Sequence, residues 1–229
     1  FREEFGCFLI EGEHLVQELQ KAAARDARLR TSEVYITREY SNWASPFTTH
    51  VVNSRQMMQI SETRSPQGIA AVVPLLAASA PEPGARAVFL HEIQDPGNLG
   101  TILRTLAWFG QFRCLLSPDS VDAHNGKTVR ASAGALFHVP VEIDVPLATL
   151  PARFGRIASL DLRGQSTATP ERRRLDSYVF GNEARGLPRD LLAALKAQPF
   201  TIPGTGVIES LNVATTVSIC QYELCRTVR

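Results

Sequence analysis

From residue 87 to the C-terminus one pattern recurs: a short, nearly continuous apolar run, a polar or glycine-rich stretch, then apolar residues at helical spacing. AVFLHEI at 87–93, FRCLL at 112–116, GRIASL at 155–160, SYVFG at 177–181 and FTIP at 200–203 read as buried strands. Between the first two, Leu99, Ile102, Leu103, Leu106 and Ala107 trace one helical face that Gly110 stops, with Asn98 expected as its N-cap. Pro188 is expected to open the helix PRDLLAALKA, where a missing N–H costs nothing. Val213, Val217, Cys220, Leu224 and Val228 line a final helix. Strands that are apolar throughout need cover on both faces, so the pattern predicts an α/β fold around a parallel sheet. Ligands of such sheets collect at the carboxyl ends of the strands.

Residues 1–78 alternate β and α on a smaller scale. FLIEGEHLVQELQKAAARDARL begins as a strand and continues as a helix carrying Leu15, Leu19 and Ala22, while VYIT at 34–37 and GIAAVVPLL at 68–76 are strand-like. Arg25, Arg28 and Arg30 have helical spacing but are interleaved with acids, so a solvated face explains them as well as phosphate contact does. SAPEPGAR at 79–86 has the composition of a linker, which divides the chain into a small domain at 1–78 and a larger one at 87–229.

Composition narrows the class without naming an activity. The 229 residues are 44% hydrophobic and 21% charged, as in a soluble globular protein. No apolar run approaches the roughly 20 residues that span a bilayer, and FREEFGCFLI lacks the order of a secretory signal. A cytoplasmic location is expected, and the start at Phe1 leaves room for sequence upstream. Cys7, Cys114, Cys220 and Cys225 form no CxxC pair and read as buried thiols; His50, His91 and His138 have no metal-ligand spacing. No metal is expected. The formal charge of +1 means that any nucleic-acid surface must be local.

Three strand ends are rich in Asn, Gly, Glu, Arg and Ser: DPGNLGTILRT at 95–105, FGNEARGLP at 180–188 and IPGTGVIESLN at 202–212. All three could meet at one sheet edge, with glycines admitting a ligand close to the backbone. None is a GxxxxGK[ST] or GxGxxG phosphate loop, and Gly204-Thr205-Gly206 alone is weak evidence, more often a turn. The residues by themselves indicate a cofactor or nucleotide site built from three loops.

These segments resemble a known family. Asn98-Leu99-Gly100-Thr101-Ile102-Leu103-Arg104 is similar to the NxGxxxR motif of the SpoU (TrmH-type) family of SPOUT methyltransferases. Gly181-Asn182-Glu183-Ala184-Arg185-Gly186-Leu187 resembles its second motif, and Ile202-Pro203 with Glu209-Ser210-Leu211-Asn212-Val213-Ala214 its third. VRASAGALFHVPV at 129–141 matches in between, and FLIEGEHLVQE with SETRSPQGIAAVV resembles the substrate-binding domain many members carry in front.

The resemblance implies a deep trefoil knot, a homodimer whose active site is completed across the interface, and S-adenosylmethionine as cofactor. It implies methyl transfer to a ribose 2′-hydroxyl of RNA, with ribosomal (23S) RNA favoured over tRNA; a non-catalytic RNA-binding or assembly factor is the other alternative. The cofactor is expected against Leu160, Gly181, Asn182, Glu183, Gly186, Ile202 and Leu211. Arg104 is the family's catalytic arginine, acting either as base or as a clamp on phosphate and developing alkoxide. The second role suits a side chain that stays charged at any ordinary pH. Asn98, Glu183, Ser210 and Asn212 complete the expected catalytic set, with Ser210 also a candidate N-cap for the last helix. His124, Asn125, Lys127 and Arg130 are further candidates for RNA contact, equally explained as a solvated loop, and the run Arg172-Arg173-Arg174 is another, although such runs are usually just exposed.

Overall fold

The computed structural model describes residues 2–75, 78, 84–167 and 174–226. Most of the expected linker, Arg172, Arg173 and Val228 lie outside them.

The first part of the chain contains α1 (Arg2–Phe5), β1 (Cys7–Glu11), α2 (Glu13–Ala23), β2 (Glu33–Ile36), β3 (Thr48–Val51), α3 (Ser54–Ile60) and β4 (Ile69–Pro74). Its sheet has the order β1-β4-β2-β3, antiparallel except for the β2–β3 pair. Phe8, Ile10, Val34, Ile36, Ile69, Ala71 and Val73 point to one face and bury Leu15, Val16, Leu19 and Ala22 of α2 beneath them, the strand period of two meeting the helical one. Two elements escape the apolar pattern. TTHV of β3 is an edge strand with no buried residue, and α3 is set by its capping box, in which Asn53 and Gln56 bond reciprocally. The helix carrying Leu15, Leu19 and Ala22 ends at Ala23, so Arg25, Arg28 and Arg30 do not share its face; Arg28 is bonded to Asp26, which caps a 3-10 turn at Ala27–Thr31.

The second part contains β5 (Arg86–Leu90), α4 (Pro96–Phe109), β6 (Phe112–Leu116), α5 (Gly126–Ser132), β7 (Val141–Glu142), α6 (Leu150–Arg153), β8 (Ile157–Ser166), β9 (Ser177–Phe180), α7 (Arg189–Leu195), β10 (Gln198–Thr201) and α8 (Val213–Cys225). The sheet order is β10-β8-β9-β5-β6-β7, and every described pairing is parallel. Val88, Leu90, Cys114, Leu116, Tyr178 and Phe180 face α4 and α8, whereas Ala87, Phe89, Leu115 and Val179 face Leu147, Leu150 and Leu195 on the other side. This two-sided burial is why the strands are apolar at every position.

Glycine decides two close packings. A Cβ on Gly100 would lie 2.7 Å from the Ala131 carbonyl carbon and 2.8 Å from the Ser132 nitrogen, so α4 rests directly on α5. A Cβ on Gly164 would lie 2.5 Å from the Phe200 Cα, where β8 and β10 shift register.

The two sheets are joined through α5 and the segment after it. Val129, Leu136 and Phe137 pack into the core of the N-terminal sheet. Arg130 reaches Glu11 at 3.5 Å, His138 reaches Glu18 at 3.7 Å, and Arg2 pairs with Asp122 at 2.8 Å. The four cysteines, expected to be buried, divide: Cys114 and Cys220 are buried, Cys7 is half-buried, and Cys225 is exposed at the end of α8.

Candidate functional site

Asp95, not Asn98, caps α4. Its carboxylate accepts the Asn98 N–H at 2.7 Å, and Pro96 takes the first helical turn, where it forfeits no bond. Asn98 therefore lies inside the helix with its side chain released from capping. At α8 the cap is Asn212, whose Oδ1 accepts from the Ala214 and Thr215 N–H groups at 2.9 and 3.3 Å. Ser210 lies outside that helix, exposed and without a hydrogen bond among the described residues. Pro188 likewise stands one residue outside α7 as its N-cap, its ψ of 127° being extended.

The loop after β9 is built on Asn182, whose side chain is almost fully buried. Its Oδ1 accepts from the Ala184 and Arg185 N–H groups at 3.0 Å each, and its Nδ2 donates to the Glu92 carbonyl at 2.8 Å. Backbone bonds in both directions join Asn182 and Gly186. Gly186 takes φ +65°, and a Cβ on Gly181 would lie 2.7 Å from the Gly186 carbonyl oxygen. The turn is closed from within, leaving the side chain of Glu183 exposed.

Glu183 points toward the start of α4. It accepts from the Gln94 N–H at 3.3 Å, the Asp95 N–H at 3.3 Å and Asn98 Nδ2 at 3.2 Å. Asn212 Nδ2 in turn donates to Asn98 Oδ1 at 2.9 Å. One continuous chain, Glu183–Asn98–Asn212, thus links the three motifs, which lie up to 114 residues apart. About two turns further along α4, Thr105 and Ser218 repeat the pairing of α4 with α8 at 2.9 Å. Arg185 pairs with Glu92, a contact the motif spacing did not reveal.

Arg104 is not brought to this chain. It is exposed, makes no ion pair among the described residues, and shares an outward face of α4 with Thr101 and with Trp108, which is 85% exposed. Six residues at 3.6 per turn put it about 240° round the helix from Asn98.

Of the expected cofactor contacts, Leu160 lies inside β8 rather than at the end of a strand, because β8 continues to Ser166. Half-buried Leu160 and Ile202 pack on the same core cluster, and Leu160 lies in β8 beside β9, which Gly181 follows. Residues 203–212 are all exposed, and backbone groups of 203–211 make no hydrogen bond among the described residues. Val207, Ile208 and Leu211 expose apolar side chains on the same loop. Free amide and carbonyl groups beside an apolar wall fit a nucleoside with a short polar tail, such as S-adenosylmethionine.

Of the residues considered for RNA contact, Asn125 caps α5, Arg130 is paired with Glu11, and His124 packs on Phe8 with ring centroids 4.9 Å apart. Burial pushes the pKa of His124 below its usual value. Lys127 is exposed, 3.9 Å from Asp95. Among the described residues no His, Cys, Asp and Glu cluster could hold a metal, and no helix is long and apolar enough to cross a membrane.

Residues 85–222 match the SpoU rRNA Methylase family. The chain belongs to that family. Residues 1–71 match the MRM3-like substrate binding domain, so this SpoU protein carries a second recognised module. It is 32% identical to the 23S rRNA (guanosine(2553)-2′-O)-methyltransferase RlmP of Bacillus subtilis, over 97% of this chain and 90% of the relative. It is 27% identical to mitochondrial rRNA methyltransferase 3 of Mus musculus, over 90% of this chain and 55% of that one. A TrmH-family structure from Porphyromonas gingivalis superposes with a TM-score of 0.82 at 30% identity, covering 97% and 91% of the two chains. The fold of an AdoMet-bound rRNA methyltransferase from Sinorhizobium meliloti matches equally well, with a TM-score of 0.82 at 24% identity over 97% and 88%.

Proposed function

We propose that this SpoU-family chain methylates a ribose 2′-hydroxyl in large-subunit (23S) ribosomal RNA, using S-adenosylmethionine. The observation that carries the reading is the Glu183–Asn98–Asn212 chain, which ties all three family motifs together at one sheet edge. Residues 1–78 serve as the RNA substrate-binding domain, joined through 79–86 to the methyltransferase domain at 87–229.

When bound, S-adenosylmethionine supplies an electrophilic methyl group on a sulfonium. Gly181, Asn182, Glu183, Gly186, Ile202 and Leu211, with Leu160 behind them, hold it through the backbone of two loops. Asn182 keeps the first loop in shape, and Asn98 fixes Glu183 and the start of α8 relative to it. Catalysis by such a site is largely positioning, because holding donor and acceptor in line replaces a bimolecular encounter. Arg104 grips the phosphate beside the target ribose and steadies the alkoxide that forms as the hydroxyl passes its proton to solvent. Ser210, at the mouth of the loop, contacts the substrate.

The separation of Arg104 from the Asn98 chain within one protomer supports a homodimer in which Arg104 serves the partner's site. The exposed Thr101–Arg104–Trp108 face is the surface that such a partner covers. The segment after β9 is tucked into the family's trefoil knot, and the protein works in the cytoplasm without a metal.

Incubation with methyl-labelled S-adenosylmethionine and unmodified 23S rRNA or tRNA, followed by nuclease digestion and mass spectrometry, tests this. A labelled 2′-O-methyl nucleoside from 23S rRNA is expected. Label on a base, or in tRNA alone, would overturn the acceptor or the substrate.

A further inference from the structure

Glu92 stands two residues beyond β5, where the backbone leaves the sheet, and its φ of 49° is left-handed. That region is uncommon for a glutamate, and residues held there depend on the surrounding contacts to keep them. Here the contacts come from both neighbouring strand ends, because β5 lies between β9 and β6. On the β6 side the Glu92 N–H donates to the Oγ of buried Ser117 at 2.7 Å. On the β9 side its carbonyl accepts from Asn182 Nδ2 at 2.8 Å, and its carboxylate pairs with Arg185. The other carboxylate oxygen lies 3.6 Å from His91 Nε2. Two residues of the second motif loop thus close on one residue. Glu183, which they flank, is held less tightly. Its bonds to Gln94, Asp95 and Asn98 run from 3.2 to 3.4 Å, against about 2.7–2.9 Å for a strong bond to a charged group. The loop is fixed from its ends, at Glu92.

We propose that Glu92 is a positioning residue for the methyl-transfer site: through Asn182 and Arg185 it fixes the 181–186 loop in the shape that receives S-adenosylmethionine. The assignment rests on that loop holding the cofactor, as proposed above. Arg185 is exposed, and an exposed ion pair adds little to folding stability. What the pair supplies is order in the loop before the cofactor arrives, since a loop already in its binding shape loses less freedom on binding. Glu92 itself touches neither cofactor nor substrate in this scheme. Its bond to Asn182 is made by the backbone carbonyl, so a side-chain substitution removes the carboxylate alone.

The test compares wild type, Glu92→Asn, Arg185→Gln and the double variant. Asparagine accepts a left-handed backbone, so Tm is expected to stay at the wild-type value. Arg185→Gln changes an exposed position and reads the same pair from its other end. In each single variant the dissociation constant of S-adenosylmethionine, measured by calorimetry without RNA, is expected to rise about 3–5-fold, the upper end for an exposed ion pair. The cofactor KM rises with it while kcat at saturating cofactor holds, and amide hydrogen exchange of residues 184 and 185 quickens. The double variant is expected to bind no more weakly than either single one, because the two side chains act as a pair. Unchanged cofactor affinity in both single variants overturns the proposal, and so does full additivity in the double. Weakening by Arg185→Gln alone also overturns it and places Arg185 on the cofactor itself. If the pair behaves as expected but the wild type methylates no RNA, the positioning role stands and the reaction assigned above falls.

Discussion

The side chains of Asn98 and Asn212 meet at 2.9 Å, joining the first turns of α4 and α8 across 114 residues of sequence. Asn98 spends its oxygen on Asn212 and a nitrogen hydrogen on Glu183, so both ends of its amide are engaged. Aspartate in its place would set a carboxylate against Glu183 and lose that donor. Asn98→Asp is expected to lower kcat more than Asn98→Ser does, with both variants remaining folded. Steady-state kinetics and thermal unfolding check this; equal kcat for wild type and Asn98→Asp would remove the amide from the mechanism.

Asn212 has two duties, capping α8 and holding Asn98. Asn212→Ala is expected to cost about 1 kcal/mol of stability as a lost cap. Asn212→Ser, which restores a capping oxygen but cannot reach as far, is expected to recover stability without recovering turnover. Chemical denaturation and kcat, measured side by side, separate the two duties.

Gly100 sits inside the first motif, yet its hydrogen faces the backbone of α5 rather than any ligand. Gly100→Ala is expected to destabilise the protein by about 1–3 kcal/mol through overpacking. For a chain of this size each kcal/mol lowers Tm by roughly 2–4 °C. Calorimetry of the variant checks the sign and the size.

Arg104→Ala is expected to bind S-adenosylmethionine normally and to lose methylation. Because Arg104 lies away from Asn98 in one protomer, mixing Arg104→Ala with Asn98→Asp subunits under exchange conditions is expected to restore activity. In the proposed homodimer each mixed dimer would hold one site with both native residues. Two inactive variants that stay inactive when mixed would place Arg104 outside the partner's site.

Burial beside Phe8 lowers the folded-state pKa of His124, Asp122 pulls it back up, and Arg2 pushes it further down. The folded protein therefore resists protonation that the unfolded chain accepts below about pH 6.5. The stability tied to neutral His124 is complete above that pH and declines as pH falls through the folded pKa. His124→Gln is expected to flatten the decline of Tm between neutral and mildly acidic pH. Cys114, whose thiol burial raises to about 12, is expected to ignore thiol reagents that label exposed Cys225.

Much of this architecture was legible from local pattern. Strands such as FRCLL and SYVF are apolar at each position because both sheet faces are covered, and the three motif loops follow strands that do end at one edge. What escaped depended on contacts distant in sequence or on competition between neighbours. Asp95 and Asn98 are both good caps, and Pro96 decided between them by fitting the first helical turn. Thr48–Val51 forms an edge strand without a buried face, so it carries no periodic signal. Glu183 bonds two backbone N–H groups 88 and 89 residues upstream, which no spacing rule encodes. The displacement of Arg104 from Asn98, by contrast, follows from helical geometry alone once the helix is granted.

The most direct measurement of the central claim is alkaline hydrolysis of 23S rRNA after incubation with S-adenosylmethionine and either wild type or Arg104→Ala, mapped by primer extension. A ribose whose 2′-hydroxyl is methylated cannot attack its own 3′-phosphodiester, so cleavage stops at that one position. Protection at a single nucleotide with wild type and none with Arg104→Ala is the expected result. Methyl incorporation into the RNA without any protected position would contradict ribose as the acceptor.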